Sequence, residues 1–272
     1  MLLGVAEYFS QHKEELPGTL KLIFQPAEED NDPDETPLGD IPGGAYYIIQ
    51  EGFLKDVDYC LAIHMDPSLP VGTVKIHKHE AMAATDLFSV TIEGKGGHGG
   101  APQQAVDVIP PLAELLAALN TIIPREISPF SPAVLTVGTV NTISSVWNAT
   151  PGKVELSGTF RTYDDKVREH IAQRIGDVAA SIAAAHRCKA VYRREIGYSP
   201  TVNNEMVSAL VAQNLRRCLG DEQVISNPEP LAGGEDVGFY FKEVPGAMMF
   251  MGCTDPTSTE YADLHNPNFK VD

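Results

Sequence analysis

Two adjacent carboxylates, Glu28 and Glu29, follow the apolar run GTLKLIF (18–24) through the short link QPA. Paired acids in such a place can divide labour: one holds a metal ion while the other takes a proton from water and hands it to a leaving amine. A solvated acidic turn gives the same dipeptide, so the pair alone decides nothing. His64 closes a second apolar run, YCLAIH (59–64), and His265 lies in the polar stretch ADLHNPNF (262–269). Imidazole nitrogen and carboxylate oxygen are the usual atoms around catalytic zinc. A lone histidine at a strand end or in a loop is as readily a hydrogen-bonded structural residue. His98 sits among glycines in GKGGHGGAP (94–102), where its bland reading is a turn histidine. Arg161, in GTFRTYD (158–164), carries a guanidinium suited to bidentate contact with a carboxylate or to a solvated strand face. Asn148 opens NATPG (148–152), and Gly233, Gly234 and Asp236 belong to GGEDVGFY (233–240). The glycine pair can equally shape a helix start, and Asp236 reads as a helix-terminus or supporting residue rather than a ligand. His77 and His79, two apart on an apparent strand, have a metal-capable spacing with nothing else converging on it, so a surface pair is expected.

These residues need elements to hold them. The 272 residues, 43% hydrophobic and 21% charged, allow one large domain or two ordinary ones. Residues 2–15 read as an amphipathic helix with Leu2, Leu3, Val5, Ala6 and Phe9 on one face, stopped by Pro17-Gly18 and lacking a capping residue at its start. The chain therefore reads as beginning within an element. GTLKLIF is then a buried strand, 43–54 a helix, and 59–64 a strand ending on His64. That alternation suits a parallel α/β sheet, with the acid pair at the strand ends where open sheets place their sites. From Asp86 the pattern is strand, helix, strand, strand, helix, strand. Asp107 is the expected cap of the first helix, with Pro110 and Pro111 harmless in its first turn. This β-α-β-β-α-β order is that of a ferredoxin-like sandwich. The predicted organisation is an α/β domain in two parts, 1–85 and 200–272, interrupted by a ferredoxin-like domain at 86–199.

Composition excludes some functions. A net charge of −17 repels phosphate backbones and anionic lipid, so neither nucleic acid nor membrane is an expected partner. No run of eighteen apolar residues and no signal-peptide pattern occurs, and a cytoplasmic location is expected. Cys60, Cys188, Cys218 and Cys253 lack any C-x-x-C spacing, which argues against a disulfide framework or a cysteine zinc site. The acidic stretch DNDPDETPLGDIP (30–42) begins like a calcium loop, but Glu35 stands where that loop needs glycine and Ile41 where it needs glutamate, so a solvated loop is expected.

FQPAEE (24–29), AIHMDP (62–67), GKGGHGGAP, NATPG, GTFRTYD, GGEDVGFY and LHNPNF (264–269) occur together in one order. In that ordered set the chain resembles the amidohydrolase branch of the aminoacylase and carboxypeptidase zinc metallopeptidases, which includes hippurate hydrolases and auxin-conjugate hydrolases. The resemblance implies a zinc-peptidase-like α/β catalytic domain, with 86–199 as its lid and dimerisation domain. It implies hydrolysis of the amide bond of N-acyl or N-aroyl amino acids by a homodimer using two divalent metal ions (zinc, manganese, cobalt or nickel). Carried over by position, Glu28 is the general base and Glu29, His64 and His265 are metal ligands. His98 reaches the partner subunit's site to stabilise the oxyanion, while Asn148, Arg161, Gly233 and Gly234 contact substrate. The family's remaining ligands lie in a Cys-Gly-His-Asp-type motif that this chain does not contain, so it reads as truncated at both ends, with weakened metal binding. The rival readings are an impaired fragment or pseudoenzyme that keeps the dimerisation domain and a carboxylate-binding pocket, and a small-molecule binding module without metals.

Overall fold

The computed structural model describes residues 1–28, 43–142, 146–258 and 261–271, so Glu29 and the acidic stretch 30–42 lie outside the described residues. In chain order the elements are α1 (Leu2–Gln11), α2 (Gly43–Gln50), β1 (Cys60–Pro70), β2 (Val74–Ile76), β3 (Glu80–Met82), β4 (Ala84–Glu93), β5 (Gly97–His98), α3 (Ile109–Glu126) and β6 (Ala133–Thr142). They continue with β7 (Ala149–Thr150), β8 (Lys153–Thr162), α4 (Asp165–Ala185), β9 (Lys189–Ile196), β10 (Thr201–Val202), α5 (Glu205–Leu219), β11 (Val224–Ser226), α6 (Val237–Glu243) and β12 (Gly246–Thr254). Among the described residues no helix is long and apolar enough to cross a membrane.

One mixed sheet has the order β1-β12-β2-β11. Strand β12 (GAMMFMGCT) is buried along nearly its whole length, the near-continuous apolar run expected of a strand covered on both faces. On one face Met248 and Phe250 pack with Ala45 of α2 and Val237 and Tyr240 of α6. On the other, Met249, Val74 and Ile76 pack against Ala212 of α5. Strand β1 pairs with β12 in parallel from Cys60↔Gly246 to Asp66↔Gly252. His64 therefore lies within β1, opposite Phe250, rather than at its end. The strand runs on past the predicted stop because β12 keeps offering partners.

The second sheet, β6-β8-β4-β9, is antiparallel throughout. Strand β4 alternates, turning Phe88, Val90 and Ile92 onto a core shared with Leu115, Leu119 and Ile122 of α3 and Ile171, Ile175 and Ala179 of α4. Local chemistry fixes the helix starts. Asp107 accepts the Ile109 N–H (2.9 Å) ahead of the Pro110-Pro111 turn. Asp164 accepts the N–H groups of Lys166 (2.7 Å) and Val167 (3.0 Å), as an N-cap should. Two short segments join the sheets: β3 and β10 pair antiparallel, and Thr85 and Tyr198 exchange bonds, the Thr85 N–H to Tyr198 O and the Tyr198 N–H to Thr85 Oγ1, each 3.1 Å. Beside this crossover the fully enclosed Asp86 carboxylate accepts from Arg168 Nε (2.6 Å) and Nη2 (2.9 Å), Arg194 Nη2 (3.3 Å) and the Gly197 N–H (3.1 Å).

Three expectations need correction. Residues 18–24 are not a buried strand: they pair with no strand among the described residues, and Leu20 and Phe24 are exposed. A strand exists only through its neighbour's hydrogen bonds, which apolar sequence cannot supply. Helix α1 stops at Gln11, short of the predicted residue 15, and buries none of its residues. His77 is not half of a surface pair: β2 ends at Ile76, so alternation does not carry through, and His77 is buried against Phe250 while His79 stays exposed.

Candidate active site

Glu28 ends a turn whose shape follows from its neighbours. Pro26 disfavours the helical region for Gln25, and Ala27 then takes a left-handed conformation (φ 55°), which costs a non-glycine residue on the order of 1–2 kcal/mol. Hydrogen bonds hold the strained turn at both ends. Gln25 Nε2 donates to Asp236 Oδ2 (2.6 Å), and Gln25 Oε1 accepts from the Tyr240 hydroxyl (2.5 Å). The Tyr198 hydroxyl donates to the backbone carbonyl of Glu28.

Asp236 is 1% exposed. Although it stands at the start of α6, its side chain caps another helix, accepting the Ala45 N–H of α2 (3.1 Å). The expectation of a helix-terminus residue holds, on a helix the sequence could not indicate. Burial pushes the Asp236 carboxyl above its ordinary value, partly offset by the bonds from Gln25 and Ala45. Gly43 (φ 70°) seats α2 on this group, since a Cβ there would lie 2.2 Å from Asp236 Oδ2.

One carboxylate oxygen from each of Glu28, Glu235 and Asp236 lies within 4.8 Å of the others. Glu235, in the GGED motif, is a candidate that the expected site residues do not include. The signal was there, a second acidic pair beside a tight glycine turn. His64 is half-buried, with its ring 5.8 Å from that of Phe250. Its Nδ1 lies 2.7 Å from the Met65 carbonyl, which can only accept, so Nδ1 carries the proton and Nε2 keeps a lone pair. Metal-binding histidines are oriented in this way. His265 occupies an exposed turn with left-handed backbone (φ 63°). Neither histidine falls within the carboxylate group. The three carboxylate oxygens are donors that fit a hard divalent ion, and the His64 Nε2 one that fits a borderline ion.

The remaining residues sit near the second sheet or at the crossover. His98 is exposed on β5 beside Ala149 of β7, and the next residue's N–H, that of Gly99, donates to Asn148 O (2.8 Å). The Gly100 N–H donates to His98 Nδ1 (3.0 Å), so the ring proton sits on Nε2. Arg161 is half-buried on β8 between Thr85 of β4 and Val134 of β6. Burial lowers its pKa and the Asp86 charge works the other way. The Gly233 carbonyl accepts the Ala83 N–H (2.9 Å). A Cβ on Gly234 would lie 2.3 Å from Thr85 Cγ2 and 2.8 Å from the Tyr198 ring, so this glycine lets the GGED turn approach the crossover.

An α/β chain with this acid turn and these ordered motifs defines a class, and the chain belongs to peptidase family M20/M25/M40, whose profile matches residues 1–272. It is 36% identical over 271 residues to N-acetyl-L-cysteine deacetylase of Bacillus subtilis (strain 168), covering 100% of this chain and 60% of that protein. It is 31% identical over 275 residues to IAA-amino acid hydrolase ILR1-like 4 of Arabidopsis thaliana, with coverage of 100% and 60%. Among solved structures it resembles a Bacillus subtilis protein described as a dinuclear metal binding peptidase from the M20 family, with a TM-score of 0.77 and 26% identity over 100% of this chain and 65% of that one. The chain thus spans 60–65% of the length of these relatives.

Proposed function

We propose that the chain is the greater part of a metal-dependent amidohydrolase that cleaves the amide bond of N-acyl or N-aroyl amino acids. The observation that carries this reading is the convergence of Glu28 with Glu235 and Asp236 at a strained, doubly held turn, in a chain whose relatives include a deacetylase of an N-acetyl amino acid and a hydrolase of an amino-acid conjugate. In this reading Glu29, His64 and His265 hold divalent metal, which when bound supplies Lewis-acid stabilisation of charge developing on the carbonyl oxygen. The His64 tautomer supports its part.

Glu28 takes the proton of the attacking water and delivers it to the amine nitrogen as the amide bond breaks. Arg161 binds the substrate carboxylate through its planar pair of N–H donors, with Asn148, Gly233 and Gly234 lining the same end. His98, whose Nε2 carries the ring proton, donates to the oxyanion in the site of a second copy.

The domain reading accompanies this function: 1–85 and 200–272 form the catalytic part, and 86–199 is a ferredoxin-like lid and dimerisation domain. Its support is the order β4-α3-β6-β8-α4-β9 around a core drawn wholly from its own residues. Homodimerisation through the lid is supported by β6, an edge strand with Val134 and Val140 exposed, and by the exposed Phe130 and Trp147 nearby.

The test is metal content and hydrolysis of hippurate and N-acetylcysteine by the full chain. Glu28→Gln is expected to retain metal and lose about 100- to 10,000-fold in kcat, the usual worth of a positioned base. Wild-type turnover in Glu28→Gln, with metal retained, overturns the reading.

A further inference from the structure

The turn that carries Glu28 is gripped by residues on α6, more than two hundred positions away in sequence. We propose that Asp236 is a positioning residue: acting through Gln25 and the first turn of α2, it sets the orientation of Glu28. The proposal rests on the reading of Glu28 as the proton carrier.

A carboxylate as enclosed as Asp236 is unfavourable unless hydrogen bonds replace its lost water. Here a single oxygen, Oδ2, takes both the Gln25 amide at 2.6 Å and the Ala45 N–H at 3.1 Å. The other end of the Gln25 amide accepts from Tyr240, one helical turn along α6 from Asp236. With a donor at one end and an acceptor at the other, the amide is fixed against a flip. Two positions past Gln25 the backbone turns left-handed at Ala27, and at Glu28 it is pinned again by Tyr198. Steric fit closes the arrangement, because a Cβ on Gly44 would lie 2.1 Å from the Pro26 carbonyl. The helix α2, the acid turn and α6 therefore meet with no slack, and Asp236 Oδ2 is the atom common to all three. Without it the Gln25 amide and the Ala45 N–H both lose their acceptor.

Asparagine keeps an acceptor oxygen at the same place and removes the charge, whereas alanine removes both. Comparing the two separates positioning from any role of Asp236 as a charge or ligand. The experiment is NMR on the full chain, reading the side-chain amide of Gln25 and the backbone amide of Ala45, beside kinetics with an N-acyl amino acid. In Asp236→Ala the Gln25 signal is expected to collapse to the free-glutamine position, and the Ala45 amide to exchange at least about tenfold faster. Turnover falls by roughly 10- to 100-fold in kcat with KM held, as for a reacting group misplaced by about 1 Å. Asp236→Asn is expected to restore all three readouts. Should Asp236→Ala fail to fold, Tyr240→Phe is expected to shift the Gln25 signal and leave Ala45 unchanged. An unmoved Gln25 signal in the Ala or Phe variant overturns the proposal, as does an Asn variant that behaves like Ala in any readout. Failure of the base reading looks different: Glu28→Gln then keeps its turnover, while the Gln25 signal still follows residue 236.

Discussion

Asp86 is where burial and charge meet most sharply. Its carboxylate, closed to water, satisfies the Arg168 fork, one amine of Arg194 and the Gly197 N–H at the crossover between the sheets. Removing one member of such a group strands the others without water. Asp86→Ala is therefore expected to lower stability by about 3–5 kcal/mol, read from urea unfolding. A loss under about 1 kcal/mol would show that the arginines find other partners. Single residues were legible where their chemistry is local. Asp164 caps the helix beside it, whereas Asp107, expected as a cap, stands one position before the Val108 N-cap and still accepts the Ile109 N–H; both sit in sequence where they act. Asp236 serves a helix 191 positions away and Glu235 joins Glu28 across the chain, pairings no spacing rule reveals. For His77 the sequence misleads outright, because burial was decided by where β2 stops.

The elements of the second sheet were readable because each is long and carries its own period. Strand β4 alternates over ten residues, and α3 and α4 run for eighteen and twenty-one. The strands β3, β10 and β11, of two or three residues, are defined by what they pair with and leave almost no pattern. Residues 18–24 are the converse, a strand-like sequence beside no described partner. Within the second sheet Gly158 is the tightest contact: a Cβ there would lie 2.0 Å from the Thr136 carbonyl on β6 and 2.8 Å from the Phe88 ring on β4. Gly158→Ala must either part β8 from β6 or displace Phe88 from the core. We expect a loss of about 1–3 kcal/mol, seen as a lower melting temperature. An unchanged melting temperature would mean that the strands shift at no cost.

At the scale of the molecule, the two sheets differ in how far apart in sequence their parts lie. Every residue of the core beneath β6-β8-β4-β9 falls between Phe88 and Tyr192, and the Asp86 hub is completed by Arg168 within that stretch and by Arg194 and Gly197, only a few positions beyond it. Residues 84–199 expressed alone are therefore expected to fold cooperatively, with a sigmoidal thermal transition by circular dichroism and dispersed amide signals. A broad, non-cooperative melt would show that this core leans on the other sheet. The first sheet cannot be built that way. Strand β1 takes β12 as its parallel partner, and the Thr254 hydroxyl reaches Pro67 across 187 positions. During synthesis at about 5–20 residues per second, β1 leaves the ribosome roughly 10–40 s before its neighbour exists. Through that interval Leu61 and Ile63, exposed even once β12 has paired, stand on an unzipped strand. Nascent chains at this stage are the natural clients of a chaperone, and slowing translation between 70 and 246 should cost yield before it costs activity.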